Sequence, residues 1–181
     1  MVMEHQLNDS GRQVRVIEDS LNGRRTVWDD PYKPGRNGVN GIAERIEAHS
    51  PLALVILMLG TNDFQSMHPH NAWHSAQGTA ALVTAIRATQ IEPGMTAPPV
   101  LIVAPPAIEE PKGPIAPKFA GGQSRCAGLA EALRDVAKEL GCSFFDAGTV
   151  ISASDADGIH LDAPENRTLG LAIADVVAPL L

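Results

Sequence analysis

Leu52-Ala-Leu-Val-Ile-Leu-Met-Leu-Gly-Thr-Asn-Asp63 decides the fold. A short apolar run rich in Leu, Val and Ile, closed by turn-forming and polar residues, reads as a strand buried on both faces. Three more runs of this kind lie along the chain, at Gln13 to Ile17, Val100 to Ala104 and Ser143 to Asp146. Between them fall helical patterns. They are clearest over Ala72 to Gln90 and over Gln123 to Leu140, where Leu129, Ala132, Leu133, Val136 and Leu140 recur at helical spacing. A last helix is expected over Pro164 to Val177. Strands alternating with helices predict an α/β fold with a parallel sheet covered on both faces.

In such sheets ligands bind beyond the carboxyl ends of the strands. The polar clusters gather at those ends: Asp19 to Thr26 after the first run, Gly60 to Asp63 after the second, and Pro105-Pro106 after the third. Pro93-Gly94 and the stretch Pro105 to Gly122, with five prolines and three glycines, read as loops.

With 181 residues and 44% hydrophobic content the chain suits one domain, residues 1–181. A net charge of -7 offers no basic stripe to a nucleic acid or an anionic membrane; Arg24 and Arg25 are the densest basic spot. Cys126 and Cys142 lack metal-ligand spacing and read as free thiols. The N-terminal Met1 to Leu7 has neither a basic region nor an apolar core, and no apolar run reaches bilayer length. A soluble cytoplasmic protein is expected. No Gly-rich phosphate loop follows any strand, which disfavours a nucleotide binder, and no cofactor is called for.

Several residues suit acyl-transfer chemistry. Asn62, just past a buried strand, reads as a turn residue or as an amide donor to a developing oxyanion. His160 suits a general base near neutral pH, and Asp157, three residues earlier, suits the group that fixes its tautomer. Gly23 is either a turn glycine or a backbone N–H that can approach a reacting centre. His5, His49, His68, His70 and His74 read as ordinary polar residues, with no metal site assigned. Trp28 and Trp73 read as packing residues.

The run Val16 to Thr26, then Asp29-Asp30-Pro31, Asn37-Gly38, Gly60-Thr-Asn-Asp63, Phe144-Phe-Asp-Ala-Gly148 and Asp157-Gly-Ile-His160 resembles the SGNH (GDSL-type) hydrolases, in the branch of bacterial arylesterases and the mycobacterial acyltransferase. The resemblance covers nearly the whole chain. It implies a flavodoxin-like three-layer α/β/α sandwich and a serine acyl-enzyme acting on short acyl or aryl esters. It also implies possible transfer of the acyl group to alcohols, and a homo-oligomer. By it, Gly23 and Asn62 match the oxyanion donors, while Asp157 and His160 match two members of a Ser-Asp-His triad.

The family's Gly-Asp-Ser-Leu block, which carries the nucleophile and the first strand, has no match in residues 1–181. The chain is expected to begin inside the helix after that strand, and the Gln13–Ile17 run to pair directly with the Leu52–Leu59 run, giving four strands, or to meet another subunit there. Glu18-Asp19-Ser20-Leu21 mimics the absent block, which makes Ser20 the candidate nucleophile. The rival expectation is a non-catalytic remnant or binding module that keeps the pocket and cannot form an acyl-enzyme.

Overall fold

β2 (Val100–Ala104) is the wall between two cores, and the rest of the chain is arranged about it. The computed structural model describes all residues, Met1 to Leu181. Successive side chains of a strand point to opposite faces. Accordingly Val100, Ile102 and Ala104 enter one apolar cluster, while Leu101 and Val103 enter the other. All five are buried, as a strand covered on both faces requires.

On either side of β2 run β1 (Val55–Leu57) and β3 (Ser143–Asp146), both parallel to it, in the order β1-β2-β3. The first core gathers α2 (Ile42–His49), α3 (Ala72–Ala88) and α5 (Leu129–Glu139) through Ile46, Leu82, Ile86, Leu133 and Val136. Behind the sheet, α1 (Val2–Asp9) and α6 (Ala163–Val177) supply Leu7, Leu169, Ala174 and Val177. This is the expected α/β/α layering.

Local chemistry sets the helix bounds. The Asn71 side chain accepts the His74 N–H at 3.2 Å, and the His74 ring accepts the Asn71 N–H at 3.3 Å, so a reciprocal cap starts α3. The single helix expected over Gln123 to Leu140 is two. A short α4 (Gly122–Cys126) stops at Ala127, and Gly128, at φ 81°, turns the chain before α5. Cys126 and Cys142 are free. No helix is long and apolar enough to cross a membrane.

The fourth expected strand corrects the sequence reading. Gln13 to Ile17 forms no sheet ladder, and direct pairing with the second run does not occur. Its backbone is instead claimed by α1: Val14 N–H donates to Asn8 Oδ1 at 2.9 Å, and Val16 N–H to Glu4 Oε2 at 2.6 Å. The β1 edge away from β2 is consequently open. Val55 N–H donates to Pro99 O at 2.9 Å, so by alternation the Ile56 N–H and C=O point outward.

In hydrogen exchange monitored by NMR at concentrations where the chain is monomeric, the Ile56 amide should exchange about 100-fold faster than those of Leu57 and Ile102. Equal protection would mean that this edge is paired in solution.

Candidate active site

Gly60 ends the apolar run, and Thr61–Phe64 curls into a single 3-10 turn at the carboxyl end of β1. This turn is fastened to the segment Arg24–Thr26 from several directions. Asn62 Nδ2 donates to Arg24 O at 3.2 Å, and Thr26 N–H donates to Asp63 Oδ1 at 3.0 Å. The other Asp63 oxygen accepts the hydroxyls of Thr26 at 2.8 Å and Ser75 at 2.7 Å. Burial pushes the Asp63 carboxyl above its ordinary range, against these hydrogen bonds and the charge of Arg25.

Arg25 is 0% exposed, and charged side chains are rarely so placed without partners. Its Nε donates to Asn62 O at 3.2 Å and its Nη1 to Asp29 O at 2.6 Å. Nη2 pairs with Asp30 Oδ2 at 3.2 Å and donates to Gln65 Oε1. Gln65 Nε2 in turn donates to Asn62 Oδ1 at 2.8 Å. Burial lowers the Arg25 pKa, and the carboxylates of Asp30, Asp63 and Asp29 oppose that shift.

Gly23 and Asn62 are brought together by this clasp, because the Asn62 amide grips the carbonyl of the residue after Gly23. One Asn62 amide hydrogen is used there and the other is unclaimed. The Gly23 N–H takes no part in the turn bond from Arg24 N–H to Leu21 O. Gly23 and Asn62 thus each keep a donor without a partner on two segments fastened to one another.

Asp157 and His160 form a second unit. Asp157 Oδ2 stands 2.6 Å from His160 Nδ1, while its Oδ1 accepts the backbone N–H of Ile159 at 2.8 Å and of His160 at 2.9 Å. Burial alone would raise the Asp157 carboxyl. The hydrogen bonds from the His160 ring and the two backbone amides outweigh it, and the pKa falls to about 2. The ring is 60% exposed, and with Nδ1 facing the carboxylate its Nε2 is free to work as a base.

The loop carrying this pair is docked on the chain after β2. Glu109 N–H donates to Gly158 O at 2.9 Å and Lys112 N–H to Asp157 O at 3.0 Å. Gly158 has φ 75°, and a Cβ there would lie 2.4 Å from Glu110 O, so only glycine allows the approach. The same Pro-rich stretch holds the Asn62 turn. Ser66 N–H donates to Lys118 O at 2.7 Å, and Arg125 Nη2 donates to Phe64 O. A cleft of about 500 Å³ opens on this stretch, lined by Pro111, Pro117, Gln123 and Ser124 among others.

A family model for GDSL-like lipases and acylhydrolases matches residues 2–166. The chain belongs to that family. No curated protein sequence matches it. Among solved structures, the inhibitor-bound aryl esterase of M. smegmatis is 37% identical with a TM-score of 0.93, covering 99% of this chain and 84% of that one. A carbohydrate acetylesterase from Sinorhizobium meliloti is 36% identical with a TM-score of 0.92 and the same coverage. An acetyl xylan esterase at 16% identity and a TM-score of 0.62 shares the fold, over 97% of this chain and 88% of its own.

Ser20, also expected at this site, is exposed in the loop ahead of Gly23. It hydrogen-bonds to neither Asp157 nor His160. Arg25, taken from the sequence as part of a basic spot, is instead buried between the Arg24–Thr26 segment and the turn after β1; its signal was the set of Asp29, Asp30 and Asp63 available to it. The rings of His68 and His70 stack with centroids 4.9 Å apart, and His70 stacks on Trp28 at 3.9 Å, rather than converging on a point. Burial, then the nearby histidines and arginines, lowers the His70 pKa to about 4. Trp28 packs as expected, whereas Trp73 is 61% exposed.

Because its pKa of about 2 lies below the ordinary 3.8, ionised Asp157 adds stability above about pH 4 that is lost as pH falls towards 2. In His160→Ala, an NMR titration of the Asp157 carboxyl should find its midpoint raised towards 3.8. An unmoved midpoint would mean that the backbone amides alone hold it down.

Proposed function

We propose that this chain is a carboxylic-ester hydrolase of Ser-Asp-His type acting on small acyl or aryl esters, with no cofactor. The observation that carries the reading is the Asp157–His160 pair at 2.6 Å, in a loop held by the same Pro-rich stretch that holds the Asn62 turn. Similarity to aryl and carbohydrate acetyl esterases supports the substrate class.

In this reading Ser20 Oγ attacks the acyl carbon while His160 Nε2 takes the hydroxyl proton. The carbonyl π electrons move onto oxygen, where the Gly23 N–H and the Asn62 amide receive them. Collapse expels the alcohol, which leaves with the proton from His160, and an acyl-serine remains. Water, deprotonated by His160, releases the acid; an alcohol in its place would receive the acyl group. Asp157 stays ionised throughout and holds the ring. The open edge of β1 supports a homo-oligomer with a subunit contact at that edge.

A second reading is a chain that keeps the site and has no working nucleophile. The absence of a Ser20–His160 hydrogen bond favours it, since an activated serine lies within about 3 Å of its base.

A fluorophosphonate probe separates the two. Intact-mass analysis should show one adduct that maps to Ser20 and is lost in Ser20→Ala; no adduct on the folded protein would establish the second reading. On a short-chain aryl ester, Asn62→Ala should lower kcat by about 100-fold with KM less affected, and His160→Ala should remove the activity. Parent-like rates in His160→Ala would remove it from the mechanism.

A further inference from the structure

We propose that Gln65 is a positioning residue that sets which way the Asn62 amide faces, and that Arg25 sets Gln65 in turn. The inference rests on the role given to Asn62 above. It follows from counting donors and acceptors along a chain of buried contacts.

A guanidinium has donors only. The two hydrogens of Arg25 Nη2, with no access to water, therefore require two acceptors; Asp30 Oδ2 takes one and the Gln65 oxygen faces the other. Gln65 is itself 0% exposed, so its amide cannot turn over and satisfy itself with solvent. Its Oε1 being fixed on Arg25, its Nε2 must face the other way. There it donates to Asn62 Oδ1 at 2.8 Å. With its oxygen so engaged, Asn62 has its nitrogen on the opposite side, where Nδ2 donates to Arg24 O at 3.2 Å and has one hydrogen to spare.

A flipped Asn62 would present an oxygen where the reaction needs a donor. It would repel a developing oxyanion rather than stabilise it. The two faces of an asparagine amide differ little in shape, so packing discriminates weakly between them. Discrimination must come from hydrogen bonding, and Gln65 supplies it on the Oδ1 side. Arg25 further fixes the backbone of the same residue through Nε and Asn62 O.

Gln65→Glu tests the relay. The carboxylate keeps an acceptor for Arg25, as an ion pair, so the melting temperature should be unchanged or raised. It has no donor for Asn62 Oδ1 and would instead accept from Nδ2, which turns the amide over. We expect kcat on the aryl ester to fall about 10- to 100-fold with KM within about twofold. NOEs from the Asn62 side-chain amide protons should move from the Arg24 side in the parent to residue 65 in the variant. A kcat loss with those NOEs unmoved would assign the effect to the added charge and overturn the proposal, as would a turned amide with unchanged kcat. If the parent has no esterase activity, the reading of function fails and the NOEs alone decide the relay: an amide that stays on the Arg24 side in Gln65→Glu refutes it.

Discussion

Arg25 carries a full positive charge with no exposure to water, and that burial is tolerable only while every donor has a partner. Its partners come from Asp29 and Asp30 on one side and from Asn62 and Gln65 on the other. Asp63 joins the same two segments through Thr26. The loop after residue 23 and the turn after β1 are thus one body, although 37 residues separate Arg25 from Asn62. The polar cost of the site is met by the site's own geometry, because releasing any one partner leaves a buried group unpaired.

The loop of Asp157 and His160 is fixed differently. It has no buried ion to organise it, and relies on backbone contact: Gly158 lies against Glu110, and the amides of Glu109 and Lys112 donate to the carbonyls of Gly158 and Asp157. One half of the site is held by charge and the other by close approach of main chain. The Pro-rich stretch touches both, which makes it the ruler that sets their separation.

Much of this was legible in the sequence because strands buried on both faces announce themselves. Val100 to Ala104 and Ser143 to Asp146 lie where the apolar runs put them, and α3 and α6 agree with their periodicity to within two residues. Asp157 and His160 meet as their spacing suggests, and Asn62 comes to lie beside Gly23. The reading fell short where pairing depends on partners that a local pattern does not name. Gln13 to Ile17 has a strand's composition, yet side chains of α1 take its N–H groups and no ladder forms. A break at Gly128 was hidden inside a continuous helical stripe. Arg25 reads from the sequence only as half of a basic spot, because its burial depends on carboxylates and carbonyls brought in from elsewhere in the chain.

The alternation along β2 has a consequence for how this chain can vary. Five successive residues feed two cores by turns, so their identities matter less than their parity. Val, Leu or Ile can trade places there at modest cost. A single-residue insertion or deletion within the strand is another matter, since it would turn every following side chain to the opposite core and slip the register against β1 and β3 together. Length is the least negotiable property of this segment. Loops such as Glu92 to Ala97, which join no core, are where the chain is free to grow or shrink.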